Sequence, residues 1–123
     1  MDKLTQLPDG MQESFDLCAL DDIPDRQARG FALEASGNKL ELFIVRQGEQ
    51  IYGYVNRCPH TGVNLDWQPH QFLDITGYLI QCSNHGAQFQ IRDGYCVYGP
   101  CLGQHLTSVN LSLKNGRIIL SQL

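Results

Sequence analysis

Two short cysteine–histidine pairs constrain this chain of 123 residues more than any other feature. Cys58-Pro59-His60 and Cys82-Ser83-Asn84-His85 each offer one thiolate and one imidazole, and a glycine follows each pair, at Gly62 and Gly86. Together they make four soft-to-borderline ligands. That set can hold a tetrahedral zinc ion, or an iron–sulfur cluster with cysteines on one iron and histidines on the other. Patterns as short as Cys-x-His and Cys-x-x-His arise by chance in many proteins, so context decides. Here each pair follows an apolar, strand-like run, residues 51–55 and 78–81. Two hairpin-like loops at one end of a sheet clamp a metal group from both sides.

The rest of the chain reads as a scaffold of that kind. Phe15, Leu17 and Ala19 alternate with Asp16, Cys18 and Leu20, a weak period-2 signal. Pro24 makes residues 21–25 a turn. Phe31-Ala32-Leu33-Glu34 leads through Ser36-Gly37-Asn38, a hairpin connection, into alternating Leu40, Leu42 and Ile44, where Phe43 and Val45 make the far end apolar on both faces. Gln47-Gly48-Glu49-Gln50 turns into Ile51-Tyr52-Gly53-Tyr54-Val55. Beyond the second pair, Phe89-Gln90-Ile91 faces Tyr95-Cys96-Val97 across Arg92-Asp93-Gly94. Finally Val109, Leu111 and Leu113 alternate, and Asn115-Gly116 joins them to Ile118-Ile119-Leu120 in the strongest hairpin signal of the chain. Short β-branched and aromatic strands at regular spacing predict an all-β fold, a small antiparallel sandwich or barrel with the ligand loops at one end.

The length predicts one domain over residues 1–123, with residues 1–12 a partly ordered tail. Such a chain buries roughly two-thirds of its unfolded surface and needs neither metal nor disulfides merely to fold. No run reaches the length of a membrane span and the first residues carry no apolar signal region, so the expected location is the cytoplasm. Cysteine clusters there more often mean metal than disulfide. Seven of the 13 acids fall within residues 1–30 against three bases, and residues 31–123 hold six of each. The net charge of −4 thus sits in the first quarter, read as a solvated acidic edge rather than a docking patch. No basic stripe for nucleic acid exists.

Asn56-Arg57-Cys58-Pro59-His60-Thr61-Gly62, Cys82-Ser83-Asn84-His85-Gly86-Ala87-Gln88-Phe89, the Asp93-Gly94 turn and Gly99-Pro100 together resemble a Rieske-type 2Fe–2S protein, from about Phe15 to Leu120. The resemblance implies a cluster-binding subdomain of two ligand loops, with the Gly-Pro segment a third loop covering the cluster. It implies that Cys58 and Cys82 bind one iron, and His60 and His85 the other. One departure is visible. Residues 61–81 separate His60 from Cys82 by a few more positions than is usual in the family, and the excess lies in residues 68–74, an elongated loop or small hairpin.

Two ferric ions, two sulfides, two thiolates and two neutral imidazoles sum to zero, whereas four thiolates leave −2. Adding an electron to the neutral site costs less, so the potential rises by several hundred millivolts over all-cysteine clusters. High-potential members of the family link the ligand loops by a disulfide, at places held here by Val63 and Asn84. They also place hydroxyls near the sulfurs, where this chain has Ala87 and Phe89. Hydrogen bonds to sulfur favour the reduced cluster, so their absence predicts the low end of the Rieske range, around −150 mV.

Residues 58–63, 82–87 and 98–103 contain no Asp, Glu, Lys or Arg. A neutral tip suits brief docking of a reductase and of an acceptor such as an oxygenase. Cys96 and Cys101 are read as structural thiols, the sharper alternatives being a redox disulfide or a place for Cys101 beside the cluster. Cys18 is read as core, His70 and His105 as surface or loop residues, and Trp67, Tyr52, Tyr54 and Tyr78 as core or loop anchors. No Ser-His-Asp set, phosphate loop, paired carboxylates, nucleotide motif or facial triad stands out, so no catalysis by side chains is expected. The leading expectation is a Rieske-type ferredoxin. Others are an accessory subunit resembling the small subunit of nitrite reductase, a zinc-stabilised binding module and a cluster-based redox sensor.

Overall fold

The computed structural model describes residues 14–35, 38–59, 64–66, 70–82 and 86–121. Among the described residues nine strands form three antiparallel three-stranded sheets. β1 (Ser14–Ala19), β9 (Arg117–Ser121) and β8 (Leu111–Lys114) make the first, in the order β1-β9-β8. β2 (Ala28–Ala35), β3 (Asn38–Gln47) and β4 (Gln50–Val55) make the second. β5 (Leu79–Gln81), β6 (Gln88–Gln90) and β7 (Cys96–Tyr98) make the third, smaller one. Among the described residues the one helical element is a single 3-10 turn, Leu20–Asp22.

β3 explains why the sheets stack as they do. Leu42 and Ile44 point into a core shared with Cys18, Ile23, Ile118 and Leu120, while Phe43 and Val45 point into a second core with Tyr54, Cys58, Leu65, Phe72, Ile80 and Cys82. All four are fully buried. A strand sandwiched on both faces must read as a continuous apolar run, which is how residues 42–45 stand in the sequence. Each side chain contributes about 1.5–3 kcal/mol by leaving water. The ligand loops therefore grow from the edge of a core and not from a surface flap.

The expected hairpins form. Gln47 pairs with Gln50, and Lys114 with Arg117 across Asn115-Gly116, where Asn115 takes φ +54 and Gly116 φ +77. Ala35 pairs with Asn38, while Ser36-Gly37 of that connection and the tail 1–12 lie outside the described residues.

The acidic first quarter has a definite structural use. Asp16 pairs with Arg117 at 2.9 Å, the Asp22 carboxylate accepts the Ala19 N–H at 3.0 Å, and Asp25 accepts the Gly48 N–H at 2.7 Å. Arg46 lies 3.7 Å from Asp21 and also donates to the Leu20 and Ile23 carbonyls. These carboxylates hold turns and strand ends as well as facing water.

The long connection before β5 is partly core. Leu73 bridges Ile80, and the Gln81 N–H donates to the Phe72 carbonyl at 2.9 Å, so residues 72–81 form a small hairpin. Phe72 is buried and stacks on Phe43, ring centroids 4.3 Å apart. His70, exposed and at φ +68, accepts the Gly30 N–H at 3.0 Å through Nδ1. β2 is an edge strand, and this segment covers an N–H that would otherwise stay open to pairing.

Candidate metal centre

The first ligand loop leaves β4 at Val55. Asn56, the next residue, is a polar side chain with 8% of its surface exposed. Its Oδ1 accepts the Leu65 N–H at 2.8 Å and its Nδ2 donates to Asp66 at 3.1 Å, while its own N–H donates to the Glu41 carbonyl at 2.9 Å. One amide thus ties the outgoing and returning ends of the loop together. Cys58, two residues on, is buried at 3% exposure. His60 and Val63 lie outside the described residues.

The second loop joins β5 to β6. Gln81 pairs with Gln88 at its base, their side chains bonded at 3.2 Å, and the Cys82 N–H donates to the Ala87 carbonyl at 2.8 Å. Gly86 at φ +69 turns the chain back. Cys82 is fully buried, and Ala87 and Phe89 are buried beside it in the same cluster. His85 and Asn84 lie outside the described residues, as does Trp67.

The third loop follows β7. Leu102 N–H donates to the Gly99 carbonyl at 3.1 Å, Gln104 N–H to that of Cys101 at 2.8 Å, and Cys96 N–H to that of Gln104 at 2.8 Å. Gly99, at φ +105, packs directly on Ala87 of the second loop. The Gly-Pro segment therefore lies against the second ligand loop, as expected of a cover.

The structure brings Cys58 and Cys82 into one buried cluster, together with Cys96 and Cys101. Cys96 and Cys101 are free thiols and not a disulfide, and the Cys96 S–H donates to the Tyr98 carbonyl at 3.3 Å. Burial pushes the Cys101 thiol up to about 12, helped by a hydrogen bond and charge from Cys96 and then by the charge and a hydrogen bond from Cys58. Cys101 is thus both a buried thiol and a neighbour of a candidate ligand. Among the described residues no group of three or more His, Cys, Asp or Glu forms a complete metal site. The described half of the donor set nonetheless fits an iron–sulfur group: two soft thiols, delivered by separate loops into one buried cluster with Ala87 and Phe89.

The remaining candidates fall where ordinary packing puts them. Cys18 is core, and burial raises its thiol pKa. His105 is exposed. Tyr54 is buried, whereas Tyr78 is 56% exposed, with the Arg26 guanidinium 4.9 Å from its ring centre. The clasping role of Asn56 and the core role of Phe72 were not foreseen. Asn56 does carry a signal, being a polar residue directly after an apolar strand and just before a ligand loop.

Comparison with known proteins agrees with this geometry. The family model described as "Rieske [2Fe-2S] domain" matches residues 13–115. A curated relative, the ferredoxin component of the p-cumate 2,3-dioxygenase system of Pseudomonas putida, is 30% identical over 105 residues, 85% of this chain and 81% of that protein. Among solved structures, the ferredoxin of carbazole 1,9a-dioxygenase from Nocardioides aromaticivorans IC177 superposes with a TM-score of 0.69 at 21% identity, over 89% of this chain and 98% of that one. A chain from a complex of reduced oxygenase and oxidized ferredoxin in carbazole 1,9a-dioxygenase does so with TM-score 0.69 at 25% identity, over 88% and 92%.

Proposed function

Because the chain belongs to the Rieske [2Fe-2S] domain family, we propose that it is the ferredoxin of an oxygenase system, carrying single electrons from a reductase to the terminal oxygenase. The observation that carries this reading is the likeness, over 85% of this chain and 81% of the relative, to a ferredoxin component of a dioxygenase system. Residues 1–123 are read as one Rieske domain that does no bond-making chemistry through its side chains. Among the described residues no helix is long and apolar enough to cross a membrane, which accords with work in the cytoplasm beside its partners.

When bound, a 2Fe–2S cluster supplies reversible uptake of one electron. Cys58 and Cys82 would hold one iron, and His60 and His85 the other. Asn56 keeps the first ligand loop closed, and the Cys82–Ala87 backbone bond closes the second. Ala87 and Phe89 exclude water and offer no side-chain donor, which keeps the potential at the low end of the Rieske range. At the end of β7 and on the covering loop that follows it, Tyr98 and Leu102, each 64% exposed, present apolar surface free of charge to a docking partner. A small, uncharged contact suits an electron carrier that must leave after each transfer.

Iron and acid-labile sulfide analysis, with EPR of the dithionite-reduced protein, tests the cluster. Equal iron and sulfide with a Rieske-type signal is expected. A colourless protein with one zinc and no sulfide would sink the reading. The role is tested by reconstitution: with a reductase and an aromatic-ring oxygenase, turnover should depend on this protein. A midpoint clearly above zero would contradict the low-potential assignment.

A further inference from the structure

Glu41 stands in β3 opposite the start of the first ligand loop, because the β3–β4 register pairs Leu42 with Val55. Side chains alternate along a strand, so Glu41 shares a face with Phe43 and Val45. That face looks into the core that holds Cys58 and Cys82. From there Glu41 reaches both ends of the loop. Its carbonyl accepts the Asn56 N–H at 2.9 Å, and its carboxylate accepts a side-chain N–H of Asn64 at 2.8 Å. We propose that Glu41 is a positioning residue of the metal centre, whose carboxylate holds the returning end of the first ligand loop and so slows the loss of iron. The inference rests on the assignment of Cys58 and His60 as cluster ligands.

The two ligand loops are held in different ways. The second is closed by a backbone bond, Cys82 N–H to the Ala87 carbonyl, and Gly99 of the covering loop packs on Ala87. The first is closed by side chains. The bonds from the Leu65 N–H to Asn56 and from Asn56 to Asp66 close it on itself, and a loop closed only on itself still swings as a unit. The Asn64–Glu41 bond ties the returning end to β3, a strand buried on both faces. That is the contact that opposes the swing.

A carboxylate suits this place because it only accepts, which fixes the Asn64 amide with its donors toward β3. The charge also makes the bond about twice as strong as a neutral one. Because the bond is exposed, water competes with it, and the expected effect is at most about fivefold in iron loss. The strand itself does not need the side chain. Glu41 pairs with Ala32 of β2 and bonds Asn56 through its backbone, and both contacts survive any replacement of the carboxylate.

The test compares wild type with Glu41→Ala, Glu41→Gln, Asn64→Ala and the Glu41→Ala, Asn64→Ala double variant, each loaded with cluster. Each is mixed with an iron chelator, and bleaching of the cluster absorbance is timed. Glu41→Ala and Asn64→Ala should each speed bleaching by a few-fold. The double variant should be no faster than either, since both changes break the same bond. Glu41→Gln keeps an acceptor oxygen and should recover most of the wild-type rate. Arg117→Gln is the control for a general loss of stability. It breaks an exposed pair, Arg117 with Asp16 at 2.9 Å, in the β1–β9 sheet, and should leave bleaching unchanged. A wild-type rate in Glu41→Ala, additive effects in the double variant, no recovery in Glu41→Gln or equal acceleration by Arg117→Gln overturns the proposal. Failure of the underlying assignment looks different: wild type would carry no 2Fe–2S signal, or Cys58→Ala would keep it.

Discussion

Gly99 and Ala87 meet backbone to backbone. A Cβ built on Gly99 would lie 2.7 Å from the Cα of Ala87 and 3.1 Å from its Cβ. Real Cβ atoms do not approach so closely, and Gly99 also holds φ +105, where side chains are strained. Ala87 in turn accepts the Cys82 N–H. The covering loop and the second ligand loop are therefore one packed unit, and a shift in either reaches Cys82.

Gly99→Ala should force that unit apart. Overpacking and backbone strain each cost about 1–3 kcal/mol. Thermal unfolding should fall accordingly, and a chelator should strip iron faster than from wild type. Wild-type iron retention in Gly99→Ala would mean that the covering loop does not guard the cluster.

Asn56→Ala should loosen the first ligand loop. It leaves the buried Leu65 N–H without its acceptor, a loss of about 1–3 kcal/mol. Because the amide closes the loop that carries Cys58, iron content after purification should drop as well as the unfolding temperature. Full iron with only a stability loss would show the clasp to be remote from the ligand geometry.

The strands were legible because their signals are local. Alternation marked β1 and β8, Asn115-Gly116 marked the last hairpin, and the doubly apolar run at residues 42–45 marked a strand buried on both faces. Cys58 and Cys82 were legible because glycine-containing loops and preceding apolar strands announce them. Asn56 was not, since its partners Leu65 and Asp66 are 9 and 10 positions away and only the closed loop aligns them. The segment holding Phe72 was read as an elongated loop or small hairpin, but the core role of the ring was not legible because its stacking partner, Phe43, lies far away in the sequence, in β3. The hydrogen bond from Gly30 to His70 spans 40 positions, and no periodicity encodes it.

Phe72→Ala and Gly30→Ala separate filling from fit in that segment. Removing the ring empties a buried site beside Phe43 and should destabilise by about 3–5 kcal/mol. A methyl on Gly30 would sit 3.1 Å from the Phe72 ring, which must give by a few tenths of an ångström. That cost should stay below about 3 kcal/mol. Urea denaturation of both variants gives the ranking, and a larger loss in Gly30→Ala would show the ring to be immovable.

Tyr54 links the strand that leads into the first ligand loop to the turn beyond β6. Its hydroxyl donates to the Ile91 carbonyl at 2.5 Å, and the ring lies against Gly94. Burial, then the charges of Asp93 and Tyr52, raise its pKa well above the ordinary tyrosine value. The folded state therefore keeps the proton longer than the unfolded chain does. Stability from this group is fully present below about pH 10, the unfolded value, and is lost as pH rises beyond it toward the folded value. Tyr54→Phe removes the hydrogen bond but also the titration. At neutral pH the variant should be weaker by about 1–2 kcal/mol, since the Ile91 carbonyl loses its donor. As pH climbs through about 10 to 11, wild type should lose stability faster than the variant, and the two curves should converge. Urea midpoints measured across that range would settle the matter. Parallel curves would mean that the phenol ionises as freely in the folded protein as in the unfolded one.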